Sequence, residues 1–139
     1  MEAVYENVVR FAETDAQGIV FYGNYVEYQD ETLTNFMFDR EFGLDADRDW
    51  DIHAVNVELN YRDSATFRDR LVHDIRVAAI RESSIEFEYA CRRPADETLV
   101  VDGSVTHVVV DDATGSPMRV PDTFREAVVA AQDEPPDPV

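Results

Sequence analysis

The sequence contains no lysine: all twelve of its basic residues are arginine, against thirty acidic ones, for a formal charge of −18. That balance excludes a nucleic-acid-binding module, which needs a basic footprint to meet phosphate. Cys91 is the only cysteine. No internal disulfide can form, and nothing argues for an oxidising compartment. No apolar run approaches the roughly 18 residues a membrane helix needs. The first residues, Met1-Glu2-Ala3-Val4-Tyr5-Glu6, lack the basic-then-apolar order of a signal peptide. A cytoplasmic location without membrane attachment is therefore expected. His53 and His73 have no Cys or His at ligand spacing, so neither a metal nor another cofactor is expected. The acidic stretch Asp45, Asp47, Asp49, Asp51 lacks the central Gly and terminal Glu of a calcium loop and is expected to be a solvated face.

What remains is a globular composition. Hydrophobic residues make up 45% of 139 residues and aromatics 11%, enough for one domain with a real core. That domain is expected over residues 1–131, with residues 132–139, rich in proline, as a frayed tail. Excess negative charge repels itself and destabilises a compact state in dilute buffer, but is tolerated where salt screens it. The absence of lysine and the acidic surplus fit a salt-rich cytoplasm and resemble the proteins of extreme halophiles.

Residues 4–11 are rich in β-branched and aromatic side chains and predict a first strand. A loop with Thr14, Asp15 and Gly18 follows. Apolar residues Tyr25, Val26, Tyr28, Leu33, Phe36 and Met37 then recur at three- and four-residue spacing, which predicts one long helix over 24–39. Asn24 and Glu27 suit a variant capping box, and Gly43 a stop. Val55, Val57, Leu59 and Tyr61 alternate with polar residues and predict a half-buried strand. Further strands are expected over about 71–81, 85–92 and 99–110, with a turn at Pro94-Ala95-Asp96-Glu97. Asp102-Gly103 is a hairpin signal, but the apolar run continues too closely on both sides for two strands. Thr123 and Glu126 suit a capping box for a short helix over 123–131, with Phe124, Ala127, Val128 and Ala131 as its stripe. Strand, long helix, four strands and short helix make an α+β domain built on one antiparallel sheet. One long helix cannot cover such a sheet on both sides, so a face or edge is expected to meet a second subunit.

The stretch Phe11-Ala12-Glu13-Thr14-Asp15-Ala16-Gln17-Gly18-Ile19-Val20-Phe21-Tyr22-Gly23-Asn24-Tyr25 resembles the signature of the 4-hydroxybenzoyl-CoA thioesterase family. Its pattern is an aspartate, two residues, a glycine, then an aromatic-rich step into a helix. Asn60-Tyr61-Arg62, with Ala65, Phe67, Asp69 and Leu71, and Gly103 to Val108 extend the likeness over nearly the whole chain. The resemblance implies a hotdog fold, a five-stranded sheet wrapped around the long helix. It also implies an acyl-CoA substrate and a homodimer or homotetramer with sites at the dimer interface. Asp15 matches the catalytic aspartate, as attacking carboxylate or as base for water. The Tyr22 and Gly23 amides match the oxyanion donors. Arg81, Ser83 and Ser84 match positions near the nucleotide, and His53 and Ala54 the acyl pocket. Where short-chain relatives carry a histidine, this sequence has Tyr22, as in the aromatic-acyl branch.

Each assignment has a plainer reading. Asp15 is otherwise a loop aspartate accepting local N–H groups. Tyr22 and Tyr25 side chains are expected to pack in the core, with function assigned only to the Tyr22 backbone. Arg81 is equally a surface charge paired with a neighbouring acid. Asp30 and His107 are expected to be buried and satisfied, and Cys91 to be a packing residue. Two other activities compete with thioester hydrolysis: a hotdog dehydratase, which needs a His paired with an acid, and a non-catalytic acyl-CoA-binding or sensing domain.

Overall fold

A computed structural model describes residues 2–39, 42 and 48–139 of the chain. The first strand, β1 (Glu2–Val8), stops short of the expected limit. The reason is Glu13, whose Oε1 accepts the Arg10 N–H at 2.8 Å and closes a single 3₁₀ turn over Phe11–Glu13. A carboxylate three residues downstream stabilises the start of a helical turn, and Phe11 is left exposed.

The long helix α1 (Asn24–Asp39) has the limits its apolar spacing predicts. Tyr25, Tyr28, Leu33, Phe36 and Met37 are buried, while Val26 is 44% exposed. Asn24 does not act as a cap. Its Nδ2 donates 2.8 Å to the carbonyl of Glu13, tying the helix start to the preceding loop. Gly43, the expected stop, lies outside the described residues, as do Asp45 and Asp47.

Four strands follow: β2 (Trp50–Tyr61), β3 (Arg70–Ile80), β4 (Ser84–Arg93) and β5 (Thr98–Asp111). With β1 they form the expected five-stranded antiparallel sheet, in the order β1-β3-β4-β5-β2. β1 runs antiparallel to β3, with Tyr5 opposite His73 and Val8 opposite Arg70. Asp102-Gly103 sits inside β5 without a turn, and residues 94–97 make the expected one. β2 departs from expectation. Val55 and Val57 are 62% and 43% exposed, and the polar residues between them are exposed too. An edge strand has no neighbour on one side to cover it.

The chain divides into two compact units, and α1 and β2 to β5 each contribute residues to both. The first comprises Met1–Phe36, Leu59–Ile75 and Tyr89–Gly103. Its core joins Val9, Val20, Tyr25, Tyr28, Leu71, Tyr89 and Val100. In the second, Phe124 meets the rings of Phe42 and Trp50 at centroid distances of 5.9 and 5.8 Å.

Phe124 belongs to the short helix α2 (Asp122–Ala131). The residue before α2 is Pro121, with no side-chain cap, so the Thr123–Glu126 box is not formed. Proline presets a helix-compatible φ and has no N–H to satisfy. Phe124 and Val128 are buried as expected, Ala131 is exposed, and Arg125 is buried in its stead. The Arg125 guanidinium donates to the carbonyls of Val120 (3.1 Å), Arg81 (2.6 Å) and Glu82 (3.3 Å). Beyond α2 the tail returns to β3. Gln132 exchanges two hydrogen bonds with the Val77 backbone (2.7 and 3.0 Å), and the Ile80 N–H donates to Pro138 O at 2.8 Å.

Candidate active site

Residues 14–20 fold back on themselves between β1 and α1. Thr14 bridges Val20 antiparallel, and the Asp15 N–H donates 2.9 Å to Ile19 O. The Gly18 N–H donates 2.9 Å to Asp15 O. Gly18 closes this turn at φ +78°, a conformation that side chains rarely adopt. Asp15 is half-buried, and its Oδ1 accepts the Gln17 N–H at 2.8 Å. That bond is the ordinary work of a turn aspartate. It occupies one oxygen; Oδ2 has no partner among the described residues.

The same loop is pinned to the start of α1. Glu13 O accepts both the Phe21 N–H (2.9 Å) and Asn24 Nδ2 (2.8 Å). The chain then turns through Tyr22 and Gly23, whose carbonyls accept the first helical bonds from Tyr25 and Val26, both 3.3 Å. Among the described residues, the Tyr22 and Gly23 N–H groups have no acceptor. They lie at the positively polarised end of the helix. A Cβ on Gly23 would stand 2.7 Å from the Phe21 ring, so glycine lets that ring close over the turn.

Tyr22 is 64% exposed and not part of the core, unlike Tyr25. Its ring lies 4.7 Å from Phe21 and 6.2 Å from Tyr61, centroid to centroid. Tyr61 OH donates to Tyr22 O at 3.3 Å. Phe21, Tyr22 and Tyr61 thus form an exposed aromatic surface at the turn that carries these N–H groups. Asn24 and Tyr61 are supporting residues that the motif alone does not reveal. Asn24 reads as a helix cap, and Tyr61 lies 39 positions from its partner.

Asp15, Tyr22 and Gly23 therefore share one short stretch of the first unit. Arg81, Ser83, Ser84, His53 and Ala54 belong to the second. Arg81 N–H donates 2.9 Å to Ser84 O across the β3–β4 turn, and Ser83 O accepts from Val109 at 2.8 Å. The Arg81 guanidinium is half-exposed and pairs with Glu86 at 3.3 Å. His53 and Ala54 are exposed on β2.

Other chemistry-bearing residues have structural roles. Cys91 is fully buried, and desolvation pushes its thiol up to about 12, which leaves it inert. His73 is fully buried, 2.8 Å from Tyr89 OH through Nδ1 and 2.6 Å from Asn7 Oδ1 through Nε2. His107 is buried edge-on to Phe87. Asp30 is exposed, contrary to the expected burial. Among the described residues no group of His, Cys, Asp and Glu could hold a metal ion, and no helix is long and apolar enough to cross a membrane.

Five antiparallel strands, a long helix and a carboxylate turn leading into that helix define a hotdog domain. The chain belongs to the thioesterase-like superfamily, whose sequence profile matches residues 9–128. A protein of Aquifex aeolicus (strain VF5) that carries an esterase name is 29% identical over 91 residues, 64% of this chain and 71% of its own. The crystal structure of a 1,4-dihydroxy-2-naphthoyl-CoA thioesterase from Synechocystis matches with a TM-score of 0.80. The match covers 94% of this chain and 97% of that one at 18% identity. Protein TT1821 of Thermus thermophilus matches with a TM-score of 0.81, over 94% and 100% at 24% identity. At these identities the structural likeness concerns the fold.

Proposed function

We propose that the protein hydrolyses an acyl-CoA thioester to the free acid and CoA. The observation that carries this reading is the pair of unsatisfied N–H groups, on Tyr22 and Gly23, beside the turn that presents Asp15. A thioester carbonyl is weakly resonance-stabilised, so hydrolysis needs little more than a carboxylate and donors for the developing oxyanion. Asp15 either takes a proton from the attacking water or itself attacks the carbonyl to form a mixed anhydride. The oxyanion accepts from the two amides, each such donor being worth about 3 kcal/mol in the transition state. Collapse of the tetrahedral species expels the CoA thiolate, which takes up a proton; in the anhydride route water then hydrolyses the anhydride, releasing the free acid and restoring the Asp15 carboxylate.

The exposed rings of Phe21, Tyr22 and Tyr61 favour an aromatic acyl group, in keeping with the 4-hydroxybenzoyl-CoA branch. A neighbour in fold is named for a naphthoyl-CoA substrate. Arg81, with Ser83 and Ser84, suits the CoA phosphates, since its ion pair is exposed and exchangeable. His53 and Ala54 are assigned to the acyl pocket, which a second subunit completes. The exposed apolar edge of β2 is the surface on which that subunit pairs. The charge of −18 supports a salt-rich cytoplasm as the working medium.

Thiol release from short, long and aromatic acyl-CoAs, followed in molar KCl, tests the reading. Asp15→Asn keeps the acceptor for Gln17 and so the turn. Turnover is expected to fall by about 10²–10⁴-fold with an unchanged melting temperature. Wild-type turnover in Asp15→Asn removes the aspartate mechanism. Tight acyl-CoA binding with no release by wild type replaces the enzyme with a binding domain.

A further inference from the structure

The two unsatisfied amides at the start of α1 are not held alike. The Tyr22 N–H shares a planar peptide unit with Phe21 O, which accepts the Asn24 N–H at 2.9 Å. That bond is short, and the Asn24 side chain is tied in turn to Glu13 O at 2.8 Å. The Gly23 N–H shares its unit with Tyr22 O, whose backbone partner, the Tyr25 N–H, is 3.3 Å away. A bond of that length holds weakly. The plane of this second unit turns on ψ of Tyr22 and φ of Gly23, and glycine leaves its φ unusually free. Packing nevertheless favours glycine there, since a Cβ would stand 2.7 Å from the Phe21 ring. The looser donor therefore needs support from elsewhere in the fold.

The second carbonyl has one further donor. Tyr61 OH reaches Tyr22 O at 3.3 Å from the end of β2, 39 positions along the chain. The sheet sets the position of that phenol. The next two N–H groups, of Arg62 and Asp63, donate to Val100 O in β5 at 2.8 and 3.1 Å, and Arg62 pairs with Asp102 at 3.2 Å. The Tyr61 ring also stands 5.8 Å from the buried Tyr25 ring. A carbonyl oxygen has two lone pairs, so the Tyr25 N–H and the Tyr61 hydroxyl both fit. A hydrogen bond at the oxygen of a peptide polarises its N–H, and in a planar unit it also restricts where that N–H points.

We infer that Tyr61 is a positioning residue, whose hydroxyl holds and polarises the Tyr22–Gly23 peptide so that the Gly23 N–H meets the oxyanion. In this role Tyr61 touches no reacting atom and transfers no proton. The inference rests on the hydrolysis proposed above. It gives the hydroxyl a part in the transition state and leaves the ring as aromatic surface for the acyl group.

Tyr61→Phe keeps the ring and removes the donor. With the best acyl-CoA of the wild type, in molar KCl, kcat is expected to fall about three- to tenfold, the worth of one hydrogen bond. KM and melting temperature are expected to stay unchanged, which a structural or substrate-binding role would not allow. NMR reads the amide without turnover: the Gly23 amide nitrogen resonance is expected to move upfield in Tyr61→Phe, and that of Tyr22 to move less. Thiol release by wild type decides first; its absence removes the hydrolysis reading and this inference with it. Where wild type turns over, an unchanged kcat or an unmoved Gly23 resonance in Tyr61→Phe overturns the inference alone. A raised KM at constant kcat also overturns it, and makes the hydroxyl a contact of the bound acyl group.

Discussion

His73 has no exposed surface, and burial pushes its pKa from 6.5 down to about 4, only partly opposed by the Asp74 carboxylate. The folded state thus resists a proton that the unfolded chain accepts. Stability from this group is complete above pH 6.5 and is lost as pH falls toward 4. The shift corresponds to at most about 3 kcal/mol. Denaturant titrations across that window are expected to show the loss in wild type and a much flatter profile in His73→Gln. A flat wild-type profile would mean that His73 is solvated. The carboxyls of Asp96 and Asp111 do not confuse the test, since hydrogen bonds hold both below 3.8 and their losses come at lower pH. No local pattern reveals this histidine's role, because its partners lie 66 and 16 positions away. Asp15, Gly18, Tyr22 and Gly23 are the opposite case. They fall within nine consecutive residues, so a single pass along the chain picks out the candidate site.

At the scale of elements, periodicity located α1 to the residue and the strands to within a few positions, because burial imposes spacing directly. The capping of the helix starts was not legible. Asn24 and Thr123 are good caps by residue type, yet the Asn24 amide serves Glu13 O and Pro121 stands at the start of α2. Nor was Arg125 legible as a buried residue, since its three carbonyl partners come from the β3–β4 turn and the approach to α2. The alternation in β2 predicts one covered face, but within a single chain Val55 and Val57 are open. A second copy pairing along this edge would supply the cover, and the apolar pattern would then be correct for the assembly. Sedimentation in molar KCl is expected to show a dimer or larger. Val57→Glu, repeated twice across a two-fold interface, is expected to weaken association by about a hundredfold. A monomeric wild type at micromolar concentration would leave the edge unpaired and remove the proposed interfacial site.

For the molecule as a whole, salt acts in two opposed ways. It weakens the arginine pairs: Arg92 on Asp74 through two bonds of 2.6 and 3.1 Å, Arg76 on Glu88 at 2.9 Å, Arg93 on Asp96 at 3.0 Å, Arg119 on Glu82 at 2.9 Å. It also screens the repulsion among carboxylates for which no arginine remains, the origin of the −18 charge. Each of these pairs is open to solvent on at least one side, and such pairs are worth about 1 kcal/mol or less and act only at contact. Repulsion is long-ranged, and it is cut back as the Debye length falls from about 10 Å at 0.1 M to about 3 Å at 1 M. Repulsion therefore dominates the response. Calorimetric melts are expected to rise by roughly 10 °C between those concentrations of KCl, a few kcal/mol for a domain of this size. NaCl should act alike, because screening depends on ionic strength and not on the cation. A melting temperature that falls with salt would mean that the arginine pairs outweigh the surplus carboxylates. The acidic composition would then be no adaptation to a saline medium.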